Sequence, residues 1–136
     1  DYSSGIAYST KYATLFNVAS SRDFDVRIYS ESDQLYGMNF NGTTTSNAMA
    51  LDNIGFAVAS AGTASGATVS AGVQSLKSTV TSILAAVDAG SSDVNKFRIE
   101  WRLGTGEGDM EPLSLLEQSF APDTYVTNVF INVLPL

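Results

Sequence analysis

Alternation of apolar and polar residues in several short stretches constrains the fold of this chain more than any other feature. In the clearest stretch, 96–103, every second residue is apolar: Phe97, Ile99, Trp101 and Leu103. Successive side chains of a β-strand point to opposite faces, so this pattern predicts a strand with one buried face. Residues 24–30 and 54–58 alternate in the same way, and we expect strands there too.

One stretch has a helical period instead. Its apolar residues are spaced 3, 4, 3 and 4 positions apart, at Val73, Leu76, Val80, Ile83 and Val87. This spacing lines one face of a helix and predicts a helix at about 70–89. The alternative is a strand, because residues 79–81 and 83 are β-branched. We favour the helix.

Five to seven strands with one helix predict a mainly β fold, a single-domain β-sandwich or jelly-roll-like structure. The intervening helices that a parallel α/β fold needs are absent from the pattern. The last predicted strand, 125–134, is apolar on both faces. A strand of that kind is either central in its sheet or sandwiched between partners.

The composition excludes several function classes. The 136 residues include no His and no Cys, which rules out Ser–His–Asp and Cys–His catalysis and the usual zinc sites. A net charge of −7 argues against nucleic acid as a partner, because phosphates need clustered Lys and Arg. No apolar run approaches the ~20 residues of a membrane span. We therefore expect no enzyme activity and no cofactor.

Acidic residues supply the candidate chemical sites. Glu107, Asp109 and Glu111 alternate in a glycine-rich loop and offer oxygen ligands for a metal such as calcium. The alternative for this loop is a solvated hairpin connection. Two pairs of carboxylates have a spacing that permits acid–base chemistry: Asp23 with Asp25, or Glu31 with Asp33. The alternative is that these carboxylates are solvated or paired with Arg, as is usual at strand ends.

Two further features concern carbohydrate. Asn41-Gly42-Thr43 is a glycosylation sequon, so Asn41 is a candidate modification site. Six aromatic residues are candidates for a surface on which sugars stack: Tyr2, Tyr8, Tyr12, Tyr29, Tyr36 and Trp101. The alternative is ordinary core packing and cross-strand pairing, which accounts for Trp101 without a ligand.

The N-terminal segment predicts an assembly strand. Residues 6–18 alternate over thirteen positions, and one face carries Ile6, Tyr8, Tyr12, Phe16 and Val18. Such a strand pairs within its own domain, or it is donated to the sheet of a neighbouring copy. We favour donation, because Asp1 and Lys11 are the only charged residues before Arg22, and edge strands normally carry charges that discourage association. The chain then divides into a strand at 1–18 and a β-rich domain at 19–136.

Residues 21–38 contain an alternating strand, an acidic turn at Glu31-Ser32-Asp33 and then Leu35-Tyr36-Gly37. This stretch resembles secreted archaeal proteins of the TasA/camelysin group. The resemblance implies a jelly-roll subunit of an extracellular fibre or bundling pilus, joined to its neighbours by donor strands. It covers 18 residues and carries over no site residues.

Together these observations predict a structural protein that forms a homopolymer outside the cell. We expect a mature secreted chain, because the charge is low, Ser and Thr are abundant, and the sequence starts at Asp1 without an apolar leader. A virion structural protein, such as a tail-tube or decoration subunit, is the first alternative. A carbohydrate-binding module is the second.

Overall fold

The computed structural model describes residues 5–6, 12–42, 47–63, 68–69 and 72–136. Within these ranges the fold is mainly β, with short 3₁₀ helices at Leu51–Asn53 and Leu115–Gln118. The strands, in chain order, are β1 (Ala13–Asn17), β2 (Phe24–Ser30), β3 (Gln34–Gly37), β4 (Ala48–Ala50), β5 (Ile54–Ser60), β6 (Thr68–Val69), β7 (Gln74–Ser75), β8 (Thr81–Val87), β9 (Lys96–Leu103), β10 (Tyr125–Val126) and β11 (Val129–Pro135).

The strands form three antiparallel sheets. One four-stranded sheet has the order β1-β9-β5-β7, and the other has the order β11-β2-β8-β6. A smaller sheet has the order β10-β3-β4. Each four-stranded sheet therefore ends in one long strand, β1 or β11, and in one two-residue strand, β7 or β6.

A single core joins the two four-stranded sheets. Phe24, Val26 and Ile28 of β2 and Phe97 and Ile99 of β9 are buried, and all belong to the same apolar cluster. Alternate residues of these strands face this cluster, as the sequence pattern predicts. The prediction of a mainly β, sandwich-like single domain is confirmed.

The helix predicted at about 70–89 is wrong, because β7 and β8 occupy the described part of this stretch. In β8 two register shifts interrupt the alternation. One lies between Leu84 and Val87, where Ala86 has a positive φ of 54°, and the other lies between Ser82 and Leu84. Together the two shifts leave Ile83, Leu84 and Val87 all buried, a spacing that imitates a helical face. Val80, the middle position of the predicted helical face, is exposed.

The last predicted strand is divided between two sheets. Tyr125 and Val126 form β10, which pairs with β3, whereas Val129–Pro135 forms β11, which pairs with β2. β11 is the outer strand of its sheet, so the prediction of a central strand is wrong. The alternative, a strand sandwiched between partners, stays a prediction.

Candidate assembly site

The N-terminal strand β1 lies at the edge of its sheet and pairs antiparallel with β9. The amide of Val18 donates to the carbonyl of Asn95 at 2.9 Å, and this bond sets the alternation along the pair. Phe16 and Thr14 accordingly direct their backbone groups to β9. Ala13, Leu15 and Asn17 direct theirs away from the sheet. We call these three outward positions the β1 edge.

Two side chains attach β1 to the core. Phe16 is half-buried and packs on Phe97, with 5.6 Å between the ring centroids. Val18 is half-buried as well and packs against the same core cluster. On the opposite face, Leu15 is 71% exposed. The predicted inward face of this segment is therefore correct at Phe16 and Val18.

The thirteen-residue strand predicted at 6–18 does not pair in one register. Ile6 exchanges two backbone hydrogen bonds of 2.7 Å with Leu103, whereas Ala13 lies opposite Glu100. Seven positions separate Ile6 from Ala13, but only three separate their partners on β9. The pairing is thus shifted by four residues between the two sites. Tyr8 lies outside the described residues.

Beside β1 the surface has a shallow apolar depression of about 190 Å³. It is lined by Ile6, Tyr12, Ile54, Trp101, Arg102 and Leu103. The indole N–H of Trp101 donates to the hydroxyl of Thr14 at 2.9 Å, and its ring meets Phe56 edge-on. Trp101 thereby helps to hold β1 in place.

The aromatic residues considered for sugar stacking do not form one platform. Tyr12 and Trp101 lie at the β1 side of one sheet, whereas Tyr29 packs on Phe130 in the other. Tyr36 packs on Phe40 in the smallest sheet. Its hydroxyl donates to Asp33, and that hydrogen bond raises the pKa of Tyr36. Tyr2 and Tyr8 lie outside the described residues.

The acidic loop does not gather its three carboxylates. Glu107 pairs with Arg102 at 3.1 Å, and Glu111 accepts a hydrogen bond from the amide of Leu113. Asp109 accepts from Lys77 at 2.7 Å and from the amide of Ser75 at 2.7 Å. Within the described ranges there is no group of three His, Cys, Asp or Glu residues that could hold a metal ion.

Asp109 fastens this loop over the short strand β7. The hydrogen bond from Lys77, aided by the one from the Ser75 amide, lowers the pKa of Asp109 to about 2. Nearby, burial raises the pKa of Asp52, and the charge of Glu111 adds to the effect. The loop therefore covers the β7 end of the sheet, opposite the open end formed by β1.

The acidic residues around β2 have structural partners. Asp25 accepts a hydrogen bond from the amide of Ala86 at the bulge, and Asp23 accepts one from the amide of Ala89. Glu31 accepts from the side chain of Asn128. The pairs considered for acid–base chemistry thus support the β2–β8 bulge and the turns that flank β2.

Comparison with known proteins identifies no relative. No family model, curated protein or solved structure matches this chain. The resemblance of residues 21–38 to the TasA/camelysin group therefore stays a prediction. In the part of the chain that the structure describes, no helix is long and apolar enough to cross a membrane.

The sequence pattern missed an apolar groove of about 650 Å³. Its lining includes Met49, Leu103, Leu115, Phe120 and Tyr125, which lie far apart in the chain. Asp123 also lines this groove. Burial opposes ionisation of Asp123, but hydrogen bonds from Asn39, Thr124 and Asn47 outweigh it and lower its pKa. The only signal in the sequence is a short apolar segment whose spacing indicates no element type: Leu113, Leu115, Leu116 and Phe120.

The candidate glycosylation site lies on the surface. Asn41 is exposed in the turn after β3, next to Gly42, whose φ is 87°. Thr43, the third residue of the sequon, lies outside the described residues. Modification of Asn41 stays a prediction.

Proposed function

We propose that this chain is a structural subunit of an extracellular filament and that its copies are joined by exchange of β1. In the filament, β1 of one copy occupies the position beside β9 of the next copy. Such a contact is head-to-tail, and it propagates as a polymer where the rotation between successive copies does not close a ring. The proposal assigns the chain no catalytic chemistry.

The attachment of β1 carries this proposal. β1 is an outer strand whose only strand neighbour among the described residues is β9. Its packing on the core depends on Phe16 and Val18. An exchanged strand would form the same ladder and the same side-chain contacts with another copy, so exchange between folded copies costs little contact energy.

The connection between β1 and β2 suits a hinge. Residues 21–23 are exposed, and they follow a bridge in which Ser20 and Gly90 exchange two backbone hydrogen bonds. The turn is held locally, because the Ser20 hydroxyl donates to the carbonyl of Arg22 and accepts from its amide. Opening this turn releases roughly 10 Å of extended chain, at about 3.3–3.6 Å per residue. That length helps the strand to reach a neighbour.

The charge pattern also favours assembly at β1. The described residues 12–20 include no charged side chain, although the whole chain has a net charge of −7. Outer strands of soluble monomers are commonly protected by Lys, Pro or bulges. β1 has none of these protections and therefore suits contact with another copy.

A cysteine pair tests the proposal. Asn17 lies opposite Lys96 at a position that is not hydrogen-bonded, where the two Cβ atoms are close enough for a disulfide. The chain has no Cys of its own, so the N17C/K96C variant forms one defined bond. Exchange predicts a ladder of covalent oligomers from oxidised assemblies on a gel without reductant, and reductant collapses the ladder to one band.

Two results would contradict the proposal. One is a protein that stays monomeric at high concentration. The other is an assembly whose oxidised chains all run as single-chain species, because the bond then closes within each copy. The single variants N17C and K96C are the matched controls, and neither can extend a ladder beyond a dimer.

A further inference from the structure

Among the described residues β11 pairs with no strand other than β2, so it leaves a second open edge at the other four-stranded sheet. It is an outer strand of seven residues and pairs with β2 along its full length. No residue from 124 to 136 is charged. Phe130 is 40% exposed and Val133 is 42% exposed, so apolar surface accompanies the open backbone. Uncharged, apolar outer strands are templates for pairing with another strand.

Two backbone hydrogen bonds show which groups of β11 are open. The amide of Glu31 donates to the carbonyl of Asn128, and the amide of Leu136 donates to the carbonyl of Asp23, both at 2.8 Å. Even-numbered residues of β11 therefore face β2, since hydrogen-bonded positions alternate along an antiparallel pair. Val129, Ile131 and Val133 direct their N–H and C=O groups outward. We call these three positions the β11 edge.

The β11 edge is bounded at both ends. Pro135, the next outward position, has no N–H to donate. At the other end the chain leaves for β10, and the Thr127 hydroxyl is hydrogen-bonded to that of Ser30 at 2.8 Å. The usable ladder therefore runs from residue 129 to residue 133, with Ile131 at its centre.

This segment is self-complementary. Its sequence is Val-Phe-Ile-Asn-Val, with matching residues at the two ends. In an antiparallel pair centred on Ile131, Val129 lies opposite Val133 of the second copy, and Ile131 lies opposite itself. Phe130 lies opposite Asn132 of the second copy on the outer face. Each outward residue then has a partner for both of its backbone groups, and β-branched side chains meet on the inner face.

We propose that β11 pairs with β11 of a second copy across a two-fold axis. The contact closes a dimer and joins two sheets edge to edge. The β1 edge is a poorer partner, because it would place Asn17 or Ala13 opposite a valine. The pairing goes beyond the proposed function and does not depend on it, because β1 takes no part. Since few residues take part, the dimer is weak.

The test uses the 136-residue N17C/K96C protein oxidised at high dilution, so that the disulfide closes within one chain and prevents exchange. Sedimentation of this locked monomer at rising concentration is expected to show a dimer. The F130K/N132K variant places Lys opposite Lys twice and should weaken the dimer at least about tenfold. The F130K/N132E variant loses the same apolar ring but places Lys opposite Glu twice, and it should retain the dimer.

Amide exchange provides a second readout. The amides of Val129, Ile131 and Val133 should gain protection with rising concentration, whereas those of Phe130 and Asn132 should be protected throughout. Equal loss of the dimer in both double variants would overturn the proposal, as would a locked protein that never dimerises. Protection of Ala13, Leu15 and Asn17 together with the β11 edge would also overturn it, since β1 would then be the partner. None of these results affects the ladder test for exchange.

Discussion

The two long outer strands of this protein differ in how firmly they are held. β11 pairs with β2 at seven consecutive positions and packs Val129 and Ile131 on the core. β1 pairs with β9 at five positions and packs Phe16 and Val18. Both strands are uncharged and, within the described ranges, pair on one side only. They differ in that β1 leads into the exposed turn at residues 21–23. An open edge that is firmly held suits docking, whereas one that is loosely held suits exchange.

The largest effect is expected at the side chain that holds β1. In the F16A variant the contact with Phe97 is lost, and the free energy of unfolding should fall by about 2 kcal/mol, less than for a fully buried Phe. Assembly should fall with it, because the donated strand loses its main apolar contact. Denaturant unfolding and electron microscopy measure the two effects.

Leu15 provides the matched control for Phe16. It is the preceding residue of β1, but its side chain is 71% exposed. The unfolding free energy of the L15A variant should lie within about 0.5 kcal/mol of that of the parent. Equal losses in the two variants would mean that β1 is not held by its inward face.

Much of the sandwich follows from the sequence, since strands with one buried face carry a strong period-2 pattern. The stretch 96–103 coincides with β9, and residues 24–30 coincide with β2. The pattern failed where backbone geometry departs from a regular strand. Two register shifts in β8, one at Ile83 and one at Ala86, place Ile83, Leu84 and Val87 in the core. A two-residue connection moves the chain from one sheet to another before Val129.

The candidate site was predictable only in part. Alternation indicated that Phe16 and Val18 face inward, because that depends on neighbours in the chain. The register shift between Ile6 and Ala13 depends on partners almost a hundred residues away. The carboxylates of the acidic loop also depend on partners outside the loop, because Glu107 pairs with Arg102 and Asp109 pairs with Lys77. Spacing alone cannot show such long-range partners.

A smaller effect is expected at the closed end of the β1 sheet, where Asp109 covers β7. Folding lowers the pKa of Asp109 to about 2, so its contribution to stability is present above the unfolded pKa of about 3.9 and is lost as the pH falls towards 2. Because the side chain is half exposed, the D109N variant should lose only about 1 kcal/mol at neutral pH.

The difference in unfolding free energy between D109N and the parent should shrink when unfolding is measured near pH 2. Assembly of D109N should be unchanged, because β7 lies at the opposite end of the sheet from β1. The D93N variant, which removes a carboxylate from an exposed ion pair with Lys96, controls for the loss of one charge. If the difference in unfolding free energy between D109N and the parent does not change with pH, the role assigned to Asp109 is contradicted.

The smallest effect is expected in the β11 sheet. Ala86 has a positive φ, which L-residues rarely adopt and glycine adopts readily. The A86G variant should therefore raise the unfolding free energy by about 0.5 kcal/mol. Assembly through β1 should not change, because β8 does not contact β1 in a sheet. A clear change in assembly would show that the two edges are coupled.

The most direct test of strand exchange mixes two single-cysteine proteins. One carries N17C, the other carries K96C, and a tag on one of them gives the two chains different sizes. They are mixed unfolded, refolded together, assembled and oxidised. If β1 of one copy lies beside β9 of another, a disulfide species of mixed size forms. If every copy keeps its own β1, the assemblies contain no disulfide between an N17C chain and a K96C chain, and the central claim is wrong.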